Sequence, residues 1–149
     1  MSSKSETLDE FNLERFVAAQ EDCFATVLAE LRRGRKESHW MWFIFPQLDG
    51  LGHSAMTKLY SIQSRAEARA YLDHPILGRR LVECCEVILG LKESSATVLF
   101  GFPDYLKLCS SMTLFGAVSE PNSVFHRVLE KYFDGQSDPK TLGLLESKA

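Results

Sequence analysis

Residues 13–34, LERFVAAQEDCFATVLAELRRG, decide the fold class, because their apolar side chains recur with the period of an α-helix. Glu14 lies near the start of this stretch and Arg32 near its end, which complements the helix dipole. Asn12 is the predicted N-cap, and Gly34 ends the helix. The apolar stripe consists of Leu13, Phe16, Val17, Phe24, Val27, Leu28 and Leu31. We therefore predict one amphipathic helix from Leu13 to Gly34.

Shorter helical segments follow, each with a recognisable beginning or end. Their signals are Ser54 as a cap, the capping box Ser64-Arg65-Ala66-Glu67, Pro75 in a first turn, Gly90 as a stop, Pro103 at a start, Asn122 as a cap, Gly135 as a stop, and Asp138-Pro139 as a cap with a first-turn proline. No segment shows the alternation typical of strands. We predict an all-α fold, a single compact domain of about six to eight helices, several of them short. It spans residues 11–149 after a flexible tail of residues 1–10.

Composition and charge favour an ordinary globular protein. The 149 residues suit one domain, and the chain is 45% hydrophobic and 25% charged, unlike a disordered protein. The net charge of −3 argues against a nucleic-acid-binding protein. No apolar run reaches the roughly 18 to 20 residues of a membrane span, and the polar N-terminus lacks a secretory signal. We expect a cytoplasmic protein that binds neither membrane nor nucleic acid, and the sequence leaves its oligomeric state open.

The most unusual segment is SHWMWFIFPQL, residues 38–48, which concentrates aromatic side chains beside polar ones. One interpretation is a ligand-binding wall, with Trp40 and Trp42 stacking on a flat group and with His39 and Gln47 as polar contacts. The other is a core plug that fills space between helices, which we favour for Phe43, Ile44 and Phe45. Both interpretations stay open at the sequence level for the two tryptophans.

Two further groups of residues carry possible chemistry. Gly50-Leu51-Gly52 precedes a short helix with Lys58 about one turn in, a pattern compatible with anion binding or with a plain turn. On a helix beginning near Pro103, the residues Asp104, Lys107 and Ser111 share one face. Asp104 is a candidate acid or base and Lys107 a candidate anion contact, or the two form a surface ion pair. The candidate hydrogen-bond donors here are Ser110, Ser111 and Thr113.

Several common sites are not indicated. The four histidines lack metal-binding spacing, the four cysteines form no CxxC pair, and no GxSxG elbow occurs. We therefore expect no metal and no cofactor. The basic run from Arg32 to Lys36 is typical of a solvated helix end.

Over residues 11–145 the chain resembles an uncharacterised bacterial family of small helical proteins, a domain of unknown function. The resemblance rests on SHWMWFIFPQL, on HPILGRRL at residues 74–81, and on SSMTLF at residues 110–115. It implies an α-helical fold. Some members carry a calpastatin label, which implies little for a chain with a globular composition. A looser similarity of helical class and polar motifs points to proteins that handle NAD or ADP-ribose by N-glycosidic chemistry.

These observations give two functional hypotheses of different class. The first is a protein that binds or processes a small anionic ligand of the nucleotide or nucleotide-sugar class. If it is an enzyme, it is a hydrolase with Asp104 or His39 as acid or base. Its ligand contacts would be Trp40, Trp42, Gln47, Lys58, Lys107, Ser110, Ser111 and Thr113. The second is a non-enzymatic interaction module that uses the segment around Trp40 and Trp42. A third possibility is that all these motifs serve folding alone.

Overall fold

The computed structural model describes residues 9–93 and 95–148, and within them it contains ten helices. In chain order they are α1 (Glu14–Gln20), α2 (Phe24–Arg32), α3 (Met41–Ile44), α4 (Ala55–Tyr60), α5 (Arg65–Asp73), α6 (Leu77–Leu89), α7 (Ala96–Phe100), α8 (Asp104–Ala117), α9 (Val124–Phe133) and α10 (Pro139–Ser147). The all-α, single-domain prediction is confirmed, but the predicted number of helices was too low. Residues 1–8 of the predicted tail lie outside the described residues.

The helix predicted from Leu13 to Gly34 is two helices, α1 and α2, separated by a turn at residues 21–23. The physical reason is that its two halves have different partners, since α1 packs on α3 and α2 packs on α6. The buried side chain of Gln20 holds the end of α1, because its amide donates to the carbonyl oxygen of Phe43 and to the hydroxyl of Tyr71. The turn at residues 21–23 lets the apolar side chains of α1 face α3 and those of α2 face α6.

The helices α6, α8 and α9 form the centre of the domain. Helix α9 packs against both α6 and α8, and α8 also contacts α5, α7 and α10. The faces between them are mainly apolar, with Leu81, Ile88, Met112, Phe115 and Val128 all within 1% of complete burial. No helix among the described residues is long and apolar enough to cross a membrane.

The aromatic segment forms the one-turn helix α3 and then an irregular stretch that runs beside residues 60–63. A single parallel bridge joins Leu48 to Ile62, where the amide of Ile62 donates to the Gln47 carbonyl and the amide of Asp49 to the Ile62 carbonyl. This bridge fixes Gln47 and the following glycine loop against the start of α5. It thereby places residues 47–57 within reach of α8 and α10.

The starts of two helices differ from the prediction. Asn12 and Asn122 do not cap, because both adopt the left-handed backbone with φ of 54° and 63°. Asp9 accepts the amides of Leu13 and Glu14 instead, and Ser123 caps α9. The Asp138-Pro139 prediction is confirmed, since the Asp138 side chain accepts the amide of Thr141 at the start of α10.

Candidate functional site

Trp40 is anchored in the core by the buried carboxylate of Glu30. The indole N–H of Trp40 donates to Glu30 Oε1 at 2.9 Å, and the same carboxylate accepts both the amide and the hydroxyl of Ser38 and the amide of Glu37. Burial of Glu30 would raise its pKa, but these hydrogen bonds outweigh it and lower the pKa to about 2. Trp40 is therefore placed as a structural residue, with 1% of its surface exposed.

Trp42 is only half-buried and lies beside the cation of Lys107. The Lys107 Nζ is 5.0 Å from the centre of the Trp42 ring, the geometry of a cation–π contact. Lys107 also faces Asp104 at 3.5 Å, and the second oxygen of Asp104 pairs with Lys36 Nζ at 2.8 Å. One carboxylate thus serves two lysines and holds Lys107 against the tryptophan.

A cavity of about 290 Å³ lies next to this lysine, between the 47–57 segment and the first turns of α8 and α10. Its lining combines cationic, polar and apolar side chains. The lining residues are Gln47, Leu51, Gly52, Thr57, Pro103, Leu106, Lys107, Ser110, Asp138 and Lys140. A shallow cleft formed by Trp42, Tyr60 and Ser61 adjoins it, because Gln47 and Thr57 line both.

The carboxylate of Asp138 is fixed at one side of the cavity. Its Oδ2 accepts three hydrogen bonds, from Ser110 Oγ at 3.2 Å, from the Thr141 amide at 3.1 Å and from Thr141 Oγ1 at 2.6 Å. Thr113 supports the same loop, since its hydroxyl accepts the amide of Asp138 and donates to the Cys109 carbonyl. The network orients Asp138 and ties α10 to α8.

The charges around the cavity are predominantly positive. Lys107 and Lys140 come from different helices, and within the described part of the chain Lys140 has no carboxylate within 4 Å. Asp138 is the acidic residue of the lining. The cavity therefore offers anion contacts and a hydrogen-bond acceptor within one small volume.

The structure brings together some of the residues predicted from the sequence. Gln47, Lys107 and Ser110 line the cavity, Trp42 adjoins it, and Asp104 stands behind Lys107.

Other predicted residues lie elsewhere. His39 is exposed and outside the lining, and Lys58 belongs to a separate cavity of about 470 Å³ with Arg15 and Glu67. Ser111 is fully buried, and its hydroxyl finds no hydrogen-bond partner among the described residues.

Asp138, Lys140 and Thr57 were not predicted as site residues. The Asp138-Pro139 pair carried a signal, but it indicated a helix cap, and the same side chain that caps α10 also lines the cavity. Lys140 is the second residue of that helix. Nothing in the local sequence shows that this helix start faces residues 47–57, because the two are separated by more than half the chain.

Burial disfavours the thiolate form of all four cysteines by raising their pKa values. Burial raises the pKa of the Cys84 and Cys85 thiols, and it raises the pKa of Cys109 to about 11. Among the residues the structure describes, no group of three or more His, Cys, Asp or Glu side chains is placed to hold a metal ion.

Comparison with known proteins places the chain among uncharacterised relatives. A family model described as "Protein of unknown function (DUF1810)" matches residues 10–145. The chain is similar to the crystal structure of the conserved hypothetical protein Rv1873 from Mycobacterium tuberculosis, with 49% identity and a TM-score of 0.90 over 93% of this chain and 99% of that one. No curated protein matches it. These names assign no activity.

Proposed function

The chain belongs to the DUF1810 family of proteins of unknown function, and we propose that it binds a small anionic ligand of the nucleotide or nucleotide-sugar class. One observation carries the proposal, the cavity that joins Lys107, Lys140 and Asp138 beside the half-buried ring of Trp42. Convergent polar groups in a concave site with an aromatic wall are typical of small-molecule binding.

The anionic part of the ligand fits the lysine side of the cavity. Lys140 has no ion-pair partner among the described residues, and Lys107 shares the carboxylate of Asp104 with Lys36. Lys36 is the closer of the two, at 2.8 Å against 3.5 Å, so Lys107 is the less neutralised cation. A phosphate between Lys107 and Lys140 would receive charge-assisted hydrogen bonds from two helices.

The flat part of the ligand would lie over the mouth of the cleft beside Trp42, since the cleft itself, at about 10 Å³, is too small to enclose a ring. This ring is half-buried with one contact to Lys107, and Tyr60 lies in the same cleft. An aromatic face next to a cation and an amide suits a base or a sugar ring. Gln47 lines both the cleft and the cavity, so its amide is positioned to contact either half of the ligand.

The cavity volume limits the size of the ligand. At about 290 Å³ it lies just below the roughly 300–1,000 Å³ typical of ligand pockets. A mononucleotide or a sugar phosphate matches this volume, whereas a dinucleotide such as NAD would extend beyond it.

The proposal concerns binding, and it assigns Asp104 as a positioning residue for Lys107 rather than as an acid or base. Hydrolysis of an N-glycosidic bond needs a carboxylate at the bond. The carboxylate that lines the cavity is Asp138, while Asp104 is held by two lysines and His39 lies outside the lining. The interaction-module hypothesis has less support, because Trp40 is buried and offers no surface.

Calorimetric titration with AMP, ribose 5-phosphate and inorganic phosphate tests the proposal. We expect AMP to bind the wild type and the Lys107→Ala/Lys140→Ala double variant to bind it at least ten-fold more weakly. Lys92→Ala removes an exposed lysine outside the cavity and should bind as the wild type does. Lys58→Ala should also bind normally, since Lys58 lines a different cavity. Equal affinity of the wild type and the double variant would refute the proposal.

A further inference from the structure

We propose that Asp138 recognises neighbouring hydroxyl groups, so that the ligand is a phosphorylated sugar with a vicinal diol. This inference rests on the proposed function and deepens it. The proposed function concerns the anion at Lys107 and Lys140, whereas the present inference concerns what the ligand carries at Asp138.

The two oxygens of Asp138 have different surroundings. All three hydrogen bonds from the protein go to Oδ2, from Ser110 and from the amide and hydroxyl of Thr141. Oδ1 receives no hydrogen bond from any described residue, although Asp138 is partly buried and lines the cavity. Asp138 Oδ1 is not a buried atom, so it is an acceptor that a donor group of a ligand in the cavity can reach.

The charges of the cavity decide which donor suits it. A second anionic group would be repelled by Asp138, and an ammonium group would meet the two nearby lysines, Lys107 and Lys140. A neutral hydroxyl donor avoids both costs. A carboxylate that accepts hydrogen bonds from a ribose hydroxyl is a recurrent solution in nucleotide-binding proteins.

A second polar contact makes a diol fit better than a single hydroxyl. Ser110 lines the cavity next to Asp138, at 3.2 Å from Oδ2, and Gln47 and Thr57 line the facing segment. Two adjacent hydroxyls on one ring would therefore meet Oδ1 and one of these groups together. With phosphate at the lysines, the small volume of the cavity suits one pentose phosphate.

The variant Asp138→Asn separates recognition from folding. Asparagine caps helices about as well as aspartate, so its carbonyl oxygen can replace Oδ2 toward Ser110 and Thr141. Its amide nitrogen then replaces Oδ1 and presents a donor where the ligand needs an acceptor. The matched structural control is Ser123→Ala, which removes the cap of α9, outside the lining of the cavity, and leaves the hydrogen bonds of Asp138 in place.

The experiment compares ribose 5-phosphate with 2-deoxyribose 5-phosphate by calorimetric titration, with O-phosphoethanolamine and inorganic phosphate as further probes. We expect the wild type to prefer the ribose compound at least ten-fold. Asp138→Asn should reduce this preference to less than about three-fold while its melting temperature stays within about two degrees of the wild type. Ser123→Ala should melt earlier but keep the preference.

Three results would overturn the inference. They are equal affinity for the two sugars, an unchanged preference in Asp138→Asn, and tighter binding of O-phosphoethanolamine, which would identify an amine as the donor. If AMP still binds and the lysine double variant still loses it, the proposed function survives these results. If the wild type binds none of the phosphorylated probes, both fail.

Discussion

At the scale of single residues, the buried carboxylate of Glu30 decides the role of the aromatic segment. Its four hydrogen bonds from Glu37, Ser38 and Trp40 connect α2 to the residues just before α3. Because the indole N–H of Trp40 is satisfied there, the ring packs inward against Phe45 and Phe100. Trp42, two residues further along the chain, lies beside Lys107 and lines the cleft that adjoins the cavity.

Replacing Glu30 by glutamine should flatten the acid dependence of stability. The pKa of Glu30 is lowered from an ordinary 4.5 to about 2 in the folded protein, so the unfolded chain binds its proton first as the pH falls. The ionised carboxylate of Glu30 therefore stabilises the folded protein fully above about pH 4.5, and this contribution is lost toward pH 2. It amounts to about 3 kcal/mol in the free energy of unfolding. Urea unfolding between pH 7 and pH 3 measures it.

In that experiment Glu30→Gln should be less stable at pH 7 and should lose less stability on acidification than the wild type. Glu83→Gln is the matched control, because Glu83 is 42% exposed and its pair with Arg32 spans 3.8 Å. It should retain the wild-type slope. A Glu30→Gln protein with the wild-type slope would show that the hydrogen bonds of Glu30 do not favour its charged form.

The sequence correctly predicted the N-cap of a helix where one local hydrogen bond decides the conformation. It failed where several adjacent polar residues could cap the same helix. Ser54, Ser64 and Asp138 cap the helices expected of them. Asn12 and Asn122 have equally suitable side chains, but each adopts a left-handed backbone conformation. The capping side chains are those of Asp9 and Ser123 instead. The sequence does not show which of several adjacent polar residues adopts the cap conformation.

At the scale of elements, the junction between α5 and α6 accounts for the HPILGRRL motif. The side chain of His74 accepts the amides of Ile76 and Leu77 and so caps the start of α6. Gly78 lies against the last turn of α5, where a Cβ atom would be 2.0 Å from the carbonyl oxygen of Leu72. Leu77 and Leu81 are buried beneath it. This motif therefore serves helix packing rather than a ligand site.

Gly78→Ala should destabilise the protein by about 3 kcal/mol, because the obstructing atom is backbone and cannot rotate away. Gly143→Ala is the matched control in α10, since its Cβ would meet nothing within 4 Å. It should gain about 0.5–1 kcal/mol from the higher helix propensity of alanine. Urea unfolding of both variants measures the difference. If the two variants were equally stable, α5 and α6 would not pack as closely as the structure shows.

Element boundaries show the limit of periodicity as a guide. The stripe from Leu13 to Leu31 correctly predicts helical structure, but it does not predict the turn at residues 21–23, because both halves fit one continuous stripe. Helix α3 is a single turn and carries no period to detect. In both places the structure is set by packing partners that come from distant parts of the sequence.

At the scale of the whole molecule, the candidate site is assembled from three segments that the fold brings together. The sequence predicted Gln47, Lys107 and Ser110, each inside an unusual motif, but not the third wall formed by Asp138 and Lys140. That wall depends on the docking of α10 on α8 through Thr113 and Ser110. Prediction of this contact requires tertiary structure.

Because the site spans these segments, ligand binding should slow amide exchange in all of them at once. Saturating AMP should protect residues 50–57, 104–110 and 137–142 in hydrogen–deuterium exchange measured by mass spectrometry, since a bound ligand opposes their local opening. Residues 119–122 line a separate cavity of about 400 Å³ and should exchange unchanged. The protection should weaken as salt screens the lysines. Protection at residues 119–122 alone, or at the Arg15 and Lys58 cavity alone, would place the ligand elsewhere and contradict the proposed site.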